Sequence, residues 1–222
     1  MNANSFLDQL LKTGAAALGN ATQAAKSPDG RKYATGAAVG GVLGLLLGSR
    51  SGRRLGGSAI KLGSVAALGM LAWKTYNDWQ AQQQAGAGAA TAPAAAPSAP
   101  PALPAPQAEA HGRAMLKAMI AAAKSDGHMD ERERELVQAE LRRSNAGDEL
   151  SRWVQTELQQ PVDAADVAAQ ASGPEMAAEI YLASVLVVDE TTARERAYLD
   201  QLAQALRLAP SLQAELEARA RA

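Results

Sequence analysis

Residues 115–137 read MLKAMIAAAKSDGHMDERERELV. Met115, Leu116, Met119, Ile120 and Ala123 recur at the three- and four-residue steps that line one face of a helix. The period stops near Lys124, and Gly127 is the expected breaker. Asp130, with Glu133 three residues later, has the form of a capping box. It opens a second helix that turns Leu136, Val137 and Leu141 inward. Helix, short acidic turn, helix: this unit sets the class as all-α.

The same punctuation continues towards the C-terminus. Asn145-Ala146-Gly147 ends the second helix, and Leu150, Trp153, Val154 and Leu158 mark a third. Pro161 is expected to start a fourth, with Val162, Ala165, Ala168 and Ala169. Gly173-Pro174 precedes a fifth carrying Met176, Ile180, Tyr181, Ser184 and Val187. Thr192 and Glu195 form another capping box before Leu199, Leu202 and Leu206, and Pro210 opens a seventh helix with Leu212 and Leu216. Val185–Val188 is the one β-like run, and the helical period passes through it. Residues 109–222 are thus expected to form a seven-helix bundle, large enough for its own core. A weak internal repeat aligns Asp126 with Asp189, Glu133 with Glu195 and Leu136 with Leu199.

Before the bundle, residues 80–108 are rich in Gln, then Ala, Gly and Pro, and carry no charge. Too little apolar surface is available there to offset the entropy of ordering, so a disordered spacer is expected. Further upstream the chain is apolar and rich in glycine, and a membrane-associated helical hairpin is expected over 33–79. Gly36, Gly40, Gly44 and Gly48 recur every fourth residue, the spacing at which small residues let membrane helices pack closely, within one hairpin or between copies of the chain. Tyr33–Ser49 is free of charge for seventeen residues, or about 25 Å of helix, and a second run goes from Leu55 to Trp73 with Lys61 as its one charge. Tyr33, Arg50, Arg53, Arg54, Trp73, Tyr76 and Trp79 flank these runs, as residues at a membrane–water interface would. Several arrangements fit the pattern: a spanning hairpin, a hairpin dipping into one leaflet, helices lying on the surface, or a glycine-rich core hairpin without lipid. Residues 1–32 form a polar–apolar segment in which Phe6, Leu7, Leu10 and Leu11 have the spacing of a short amphipathic helix.

The stretch AAAKSDGHMDERERELV resembles the signature of TerB-like (tellurite-resistance) helical domains. With GLLLGSRSGRRLGG and VAALGMLAWKTYNDWQ upstream, the arrangement is similar to the YebE-type family of bacterial inner-membrane proteins. The resemblance implies a glycine-rich membrane segment, a variable linker and a TerB-like bundle on the cytoplasmic side. It also implies that acidic positions, here Asp126 and Glu133, sense or bind a metal ion.

Read from the residues, Asp126, His128, Asp130 and Glu133 are the densest group of candidate ligands, with Asp189, Glu190 and Glu195 available if the two repeat turns meet. Residue 131 is Glu where a calcium loop needs Gly, and Val137 stands at the bidentate position, so this is no EF-hand. Helix capping accounts for Asp130, Glu133 and Glu195 without any ligand. The metal set to test is Asp126, Asp130, Glu133, Asp189 and Glu195, for a divalent cation.

The chain has no cysteine, which excludes disulfides, thiol catalysis and thiolate metal sites. It also has no GxSxG, HExxH or phosphate-binding loop motif. Residues 1–80 hold nine Lys/Arg and three Asp/Glu, and residues 108–222 hold thirteen and twenty, so the basic part (+6) precedes an acidic one (−7). An acidic bundle is a poor match for nucleic acid, and a basic, apolar N-terminal part suits anionic lipid. The expected function is a membrane-anchored interaction or sensor module that binds a protein partner or a divalent cation. The alternative is a metal-dependent enzyme using Asp126, Glu133 and Asp189.

Overall fold

The segment PEMAAEIYLASVLV is apolar on nearly every side, and such a helix must be surrounded. In a computed structural model, which describes residues 2–9, 11, 65–86, 105–127, 131–143, 145–188 and 192–221, it is the central rod. The helices in chain order are α1 (3–9), α2 (Val65–Gly86), α3 (Ala105–Ala123), α4 (Glu131–Arg143), α5 (Asp148–Gln159), α6 (Ala164–Ala168), α7 (Pro174–Val187), α8 (Ala193–Ala205) and α9 (Pro210–Arg221). No strand occurs among the described residues, as the helical periodicity predicts. Helices α2, α3, α8 and α9 pack round α7, and α6 sits between α8 and α3. Every residue from Ala177 to Val185 on α7 is buried. Each of the larger ones, such as Ile180, Leu182 and Val185, contributes roughly 1.5–3 kcal/mol.

The sequence expectations hold at most helix ends. Gly127 follows α3 with φ +84°, a left-handed conformation that favours glycine, and Asn145 adopts φ 51° after α4. Pro174 lies in the first turn of α7, and Thr192 caps α8. Pro161 does not start a helix. The short α6 begins at Ala164, where the Asp163 Oδ1 atom accepts from the backbone N–H of Ala165 (2.8 Å) and Asp166 (3.4 Å). Proline only breaks the chain there, and the capping carboxylate sets the start.

The largest difference from expectation is α2. Its sequence lies in the second apolar run, yet from Val65 onward it belongs to the bundle. Leu68, Ala72 and Thr75 are buried against α7 and α9, and the Thr75 hydroxyl donates to the Leu71 carbonyl at 2.8 Å. Tyr76 and Trp79, expected at a lipid interface, pack on the protein core instead. Trp79 Nε1 donates to Ser211 Oγ on α9 at 2.9 Å; Trp73 is half-buried. Burial against α7 satisfies the same apolar pattern that lipid would. The helix also continues to Gly86, because the glutamines at 80 and 82–84 are good helix formers. The expected spacer is helical at its other end too, where α3 begins at Ala105. Among the described residues no helix is long and apolar enough to cross a membrane. Tyr33, the ladder Gly36–Gly48, and Arg50, Arg53 and Arg54 lie outside the described residues.

Helix α1 is docked as well. Phe6 and Leu7 are buried, the Ser5 N–H donates to Asn2 Oδ1 (2.9 Å), and the Ala3 N–H donates to Glu109 Oε2 on α3 (2.9 Å). A Cβ at Gly112 would lie 2.7 Å from the Asn4 backbone nitrogen, so glycine is what permits this approach.

Candidate functional site

The acidic turns come first, because the sequence points there. Asp126 closes α3, half-buried. Its backbone carbonyl accepts from Arg194 Nη1, on α8, at 3.2 Å. The turn after α3 and the start of α8 therefore do meet, as the repeat suggests, but a guanidinium joins them. Space is tight: a Cβ on Gly127 would lie 2.5 Å from the same nitrogen. Glu195 completes the capping box. Its Oε2 accepts from the Thr192 N–H (2.9 Å) and the Thr192 hydroxyl (3.0 Å), while Thr192 Oγ1 accepts from the Glu195 N–H (3.1 Å). Asp130 and Asp189 lie outside the described residues, as does the side chain of Glu133 on α4. Among the described residues no three His, Asp or Glu side chains come together as a metal would need.

A second polar centre lies at the junction of α2, α3 and α7, and sequence reasoning missed it. His111 Nε2 and Glu179 Oε1 are 3.0 Å apart, with side chains 18% and 8% exposed. The hydrogen bond to Glu179 raises the pKa of His111 above its ordinary 6.5; burial opposes this and the charge of Glu179 assists it. Gly69 on α2 faces the pair, and a Cβ there would lie 3.0 Å from Glu179 Oε1. Three helices thus meet at one carboxylate, with a glycine supplying the room. The available signal was Glu179 itself, an acid in the middle of an apolar run.

A third centre joins α7, α8 and α9. Glu217 Oε1 accepts from the Tyr181 hydroxyl (2.7 Å), Arg196 Nη1 (3.0 Å) and Gln213 Nε2 (3.3 Å), and Glu217 Oε2 accepts from Arg221 Nη2 (3.3 Å). Arg196 also grips Asp200 Oδ1 through Nε (3.0 Å) and Nη2 (2.7 Å). Burial pushes the Glu217 carboxyl up, but the bonds from Tyr181, Arg196 and Gln213 outweigh it and hold it below its ordinary value. Burial, and next Glu217, drive the Tyr181 hydroxyl well above its usual range. Such a saturated network is a clamp between helices, with its carboxylate engaged on both oxygens.

Two lysines tie the remaining helices. Lys117 on α3 reaches Asp166 (2.6 Å) and Glu157 (3.6 Å). Lys124 donates to the carbonyls of Glu157 (2.8 Å) and Gln160 at the C-terminal end of α5, where a cation is favoured.

The model of a family described as "Protein of unknown function (DUF533)" matches residues 32–220. The chain belongs to that family, in keeping with the TerB-like resemblance of its acidic turn. A protein of Yersinia enterocolitica described as "Uncharacterized protein in ampR 5'region" is 33% identical to it over 94 residues, which are 42% of this chain and 68% of the relative. No solved structure matches.

Proposed function

We propose that this DUF533 member is a membrane-anchored interaction module. Its glycine-rich segment associates with lipid, and its acidic helical bundle presents a surface to a protein partner. The observation that carries the reading is α2. This helix continues directly from the apolar N-terminal segment, yet Leu68, Ala72 and Thr75 are seated against α7 and α9. Whatever holds the segment before Val65 therefore holds the bundle firmly, without a flexible tether between them. The basic balance of residues 1–80 suits an anionic headgroup layer. The YebE-type resemblance adds a bacterial inner membrane with the bundle on its cytoplasmic face.

A protein partner is favoured over a divalent cation. The Arg194 guanidinium bonded at Asp126 adds positive charge where a cation would bind, and the Glu195 carboxylate is engaged by Thr192. The metalloenzyme alternative needs the same carboxylates.

Flotation of the purified full-length chain with vesicles containing phosphatidylglycerol tests the anchor. The protein is expected to rise with the vesicles, and a chain that stays at the bottom at every lipid concentration overturns the reading. Thermal melts with Ca²⁺, Mg²⁺, Mn²⁺ and Zn²⁺ test the choice of partner. No shift at millimolar ion is expected. A raised midpoint would restore the cation reading, because a ligand of the native form must stabilise it.

A further inference from the structure

Both ends of residues 12–64, the segment that contains the glycine ladder, are held at one place on the bundle. On entry, α1 lies on α3: Ala3 bonds Glu109, and Asn4 abuts Gly112. On return, α2 passes Glu179 at Gly69, and Glu179 bonds His111, the neighbour of Gly112. A chain that leaves and returns to one surface crosses a bilayer an even number of times or not at all. Two crossings need two spans of about 20 residues each. The first apolar run offers seventeen residues. The second is cut short, because α2 commits it to the bundle from Val65, leaving 50–64 for the return. Those fifteen residues include Arg50, Arg53, Arg54 and Lys61. As a helix they would reach only about 22 Å. The hydrocarbon core is about 30 Å thick and admits only helices or closed barrels. Four cations at such depth would cost several kcal/mol more.

We infer that the chain meets the membrane from one side only. The glycine-rich segment engages the leaflet facing the bundle, with Arg50, Arg53 and Arg54 kept at its anionic headgroups, and α1, the arginine turn and the bundle share one side. This rests on the proposed lipid anchor and replaces a spanning hairpin with a monotopic attachment.

The absence of native cysteine makes the test direct. Ser5→Cys, Ser51→Cys and Ser172→Cys are made singly in the full chain, and each is treated with an impermeant maleimide in spheroplasts and in inverted membrane vesicles. Ser5→Cys and Ala110→Cys are also combined, both at exposed positions, and treated with a short bismaleimide to report whether α1 is docked. Expected are co-sedimentation with membranes, labelling of all three sites from the same face with only background from the other, and an intramolecular cross-link. Labelling of Ser51→Cys from the face opposite Ser172→Cys, or of Ser5→Cys opposite Ser172→Cys, overturns the one-sided attachment while leaving the anchor intact. Loss of the cross-link in a chain that sediments with membranes also overturns it, because α1 is then not held. A chain recovered entirely free of membranes overturns the anchor, and the one-sided attachment with it.

Discussion

Two buried glutamates on neighbouring helices lead opposite lives. Glu217 is gripped by Tyr181, Arg196, Gln213 and Arg221, donors that keep their protons throughout the neutral range. The hydrogen-bond partner of Glu179 is His111, which titrates close to neutrality. The first arrangement is a fixed joint between α7, α8 and α9. The second joins α3 to α7 beneath α2 and is strong only while the imidazole is charged. The difference shows where the bundle is built to stay closed and where its hold on the N-terminal helices is conditional.

The sharpest way to break the contrast is at the fixed joint. Glu217→Ala leaves a tyrosine hydroxyl and two guanidinium groups without their shared acceptor, and removing one partner from a buried charged network typically costs about 3–5 kcal/mol. The expected outcome in urea unfolding is a loss near the lower end of that range, since Arg196 keeps Asp200; a loss under about 1 kcal/mol would refute the joint. Glu179→Ala should cost less, about 1–3 kcal/mol, because an orphaned histidine can shed its proton and become neutral. Equal losses at the two sites would erase the distinction. Gly69→Ala should cost about 1 kcal/mol, since the new methyl group meets the far end of a carboxylate that can shift slightly. If the crowding falls on Glu179, the penalty should shrink in a Glu179→Ala background, as a double-mutant cycle would show.

The smallest effect is the most specific, because it concerns pH. The His111 pKa is raised in the folded state. Its stabilisation is therefore fully present below the unfolded value near 6.5 and fades as pH rises through the higher folded value. The Glu217 pKa is depressed. Its contribution is present above the ordinary carboxylate value and fades only as pH falls through the depressed one. Melting between pH 6 and 8 should accordingly show a decline that His111→Gln abolishes and Glu217→Gln leaves in place. A decline that survives His111→Gln would assign the effect to another group.

Much of this was legible in the sequence, and the limits have physical causes. The helices from α3 to α9 follow from apolar spacing, because an amphipathic helix carries its own evidence. Gly127 and the Thr192–Glu195 box are local signals and need no knowledge of the rest of the fold. The placement of α2 was not legible in this way. Leu68, Ala72 and Thr75 say that one face is covered, but α7, α9 and lipid tails are equally good covers. Pro161 misled because a proline marks a break more surely than a start. The His111–Glu179 pair is the clearest loss: its members are 68 residues apart, and only the packing of α3 on α7 brings them together. Glu195 shows the reverse, since its carboxylate was as plausible a ligand as a cap until its hydrogen bonds were seen.

The burial of α7 on all sides bears on the order in which the chain is made. Translation delivers α1, the glycine-rich segment and α2 well before residue 174 appears, a delay on the order of 5–20 s at ordinary bacterial rates. During that interval Leu68 and Ala72 have no central rod to rest on, and the apolar segment beside them is already out of the ribosome. The nascent chain thus offers its greasiest stretch to chaperones or to the lipid surface first. Docking of α2 must come last, as a post-translational closure around a core that arrives late.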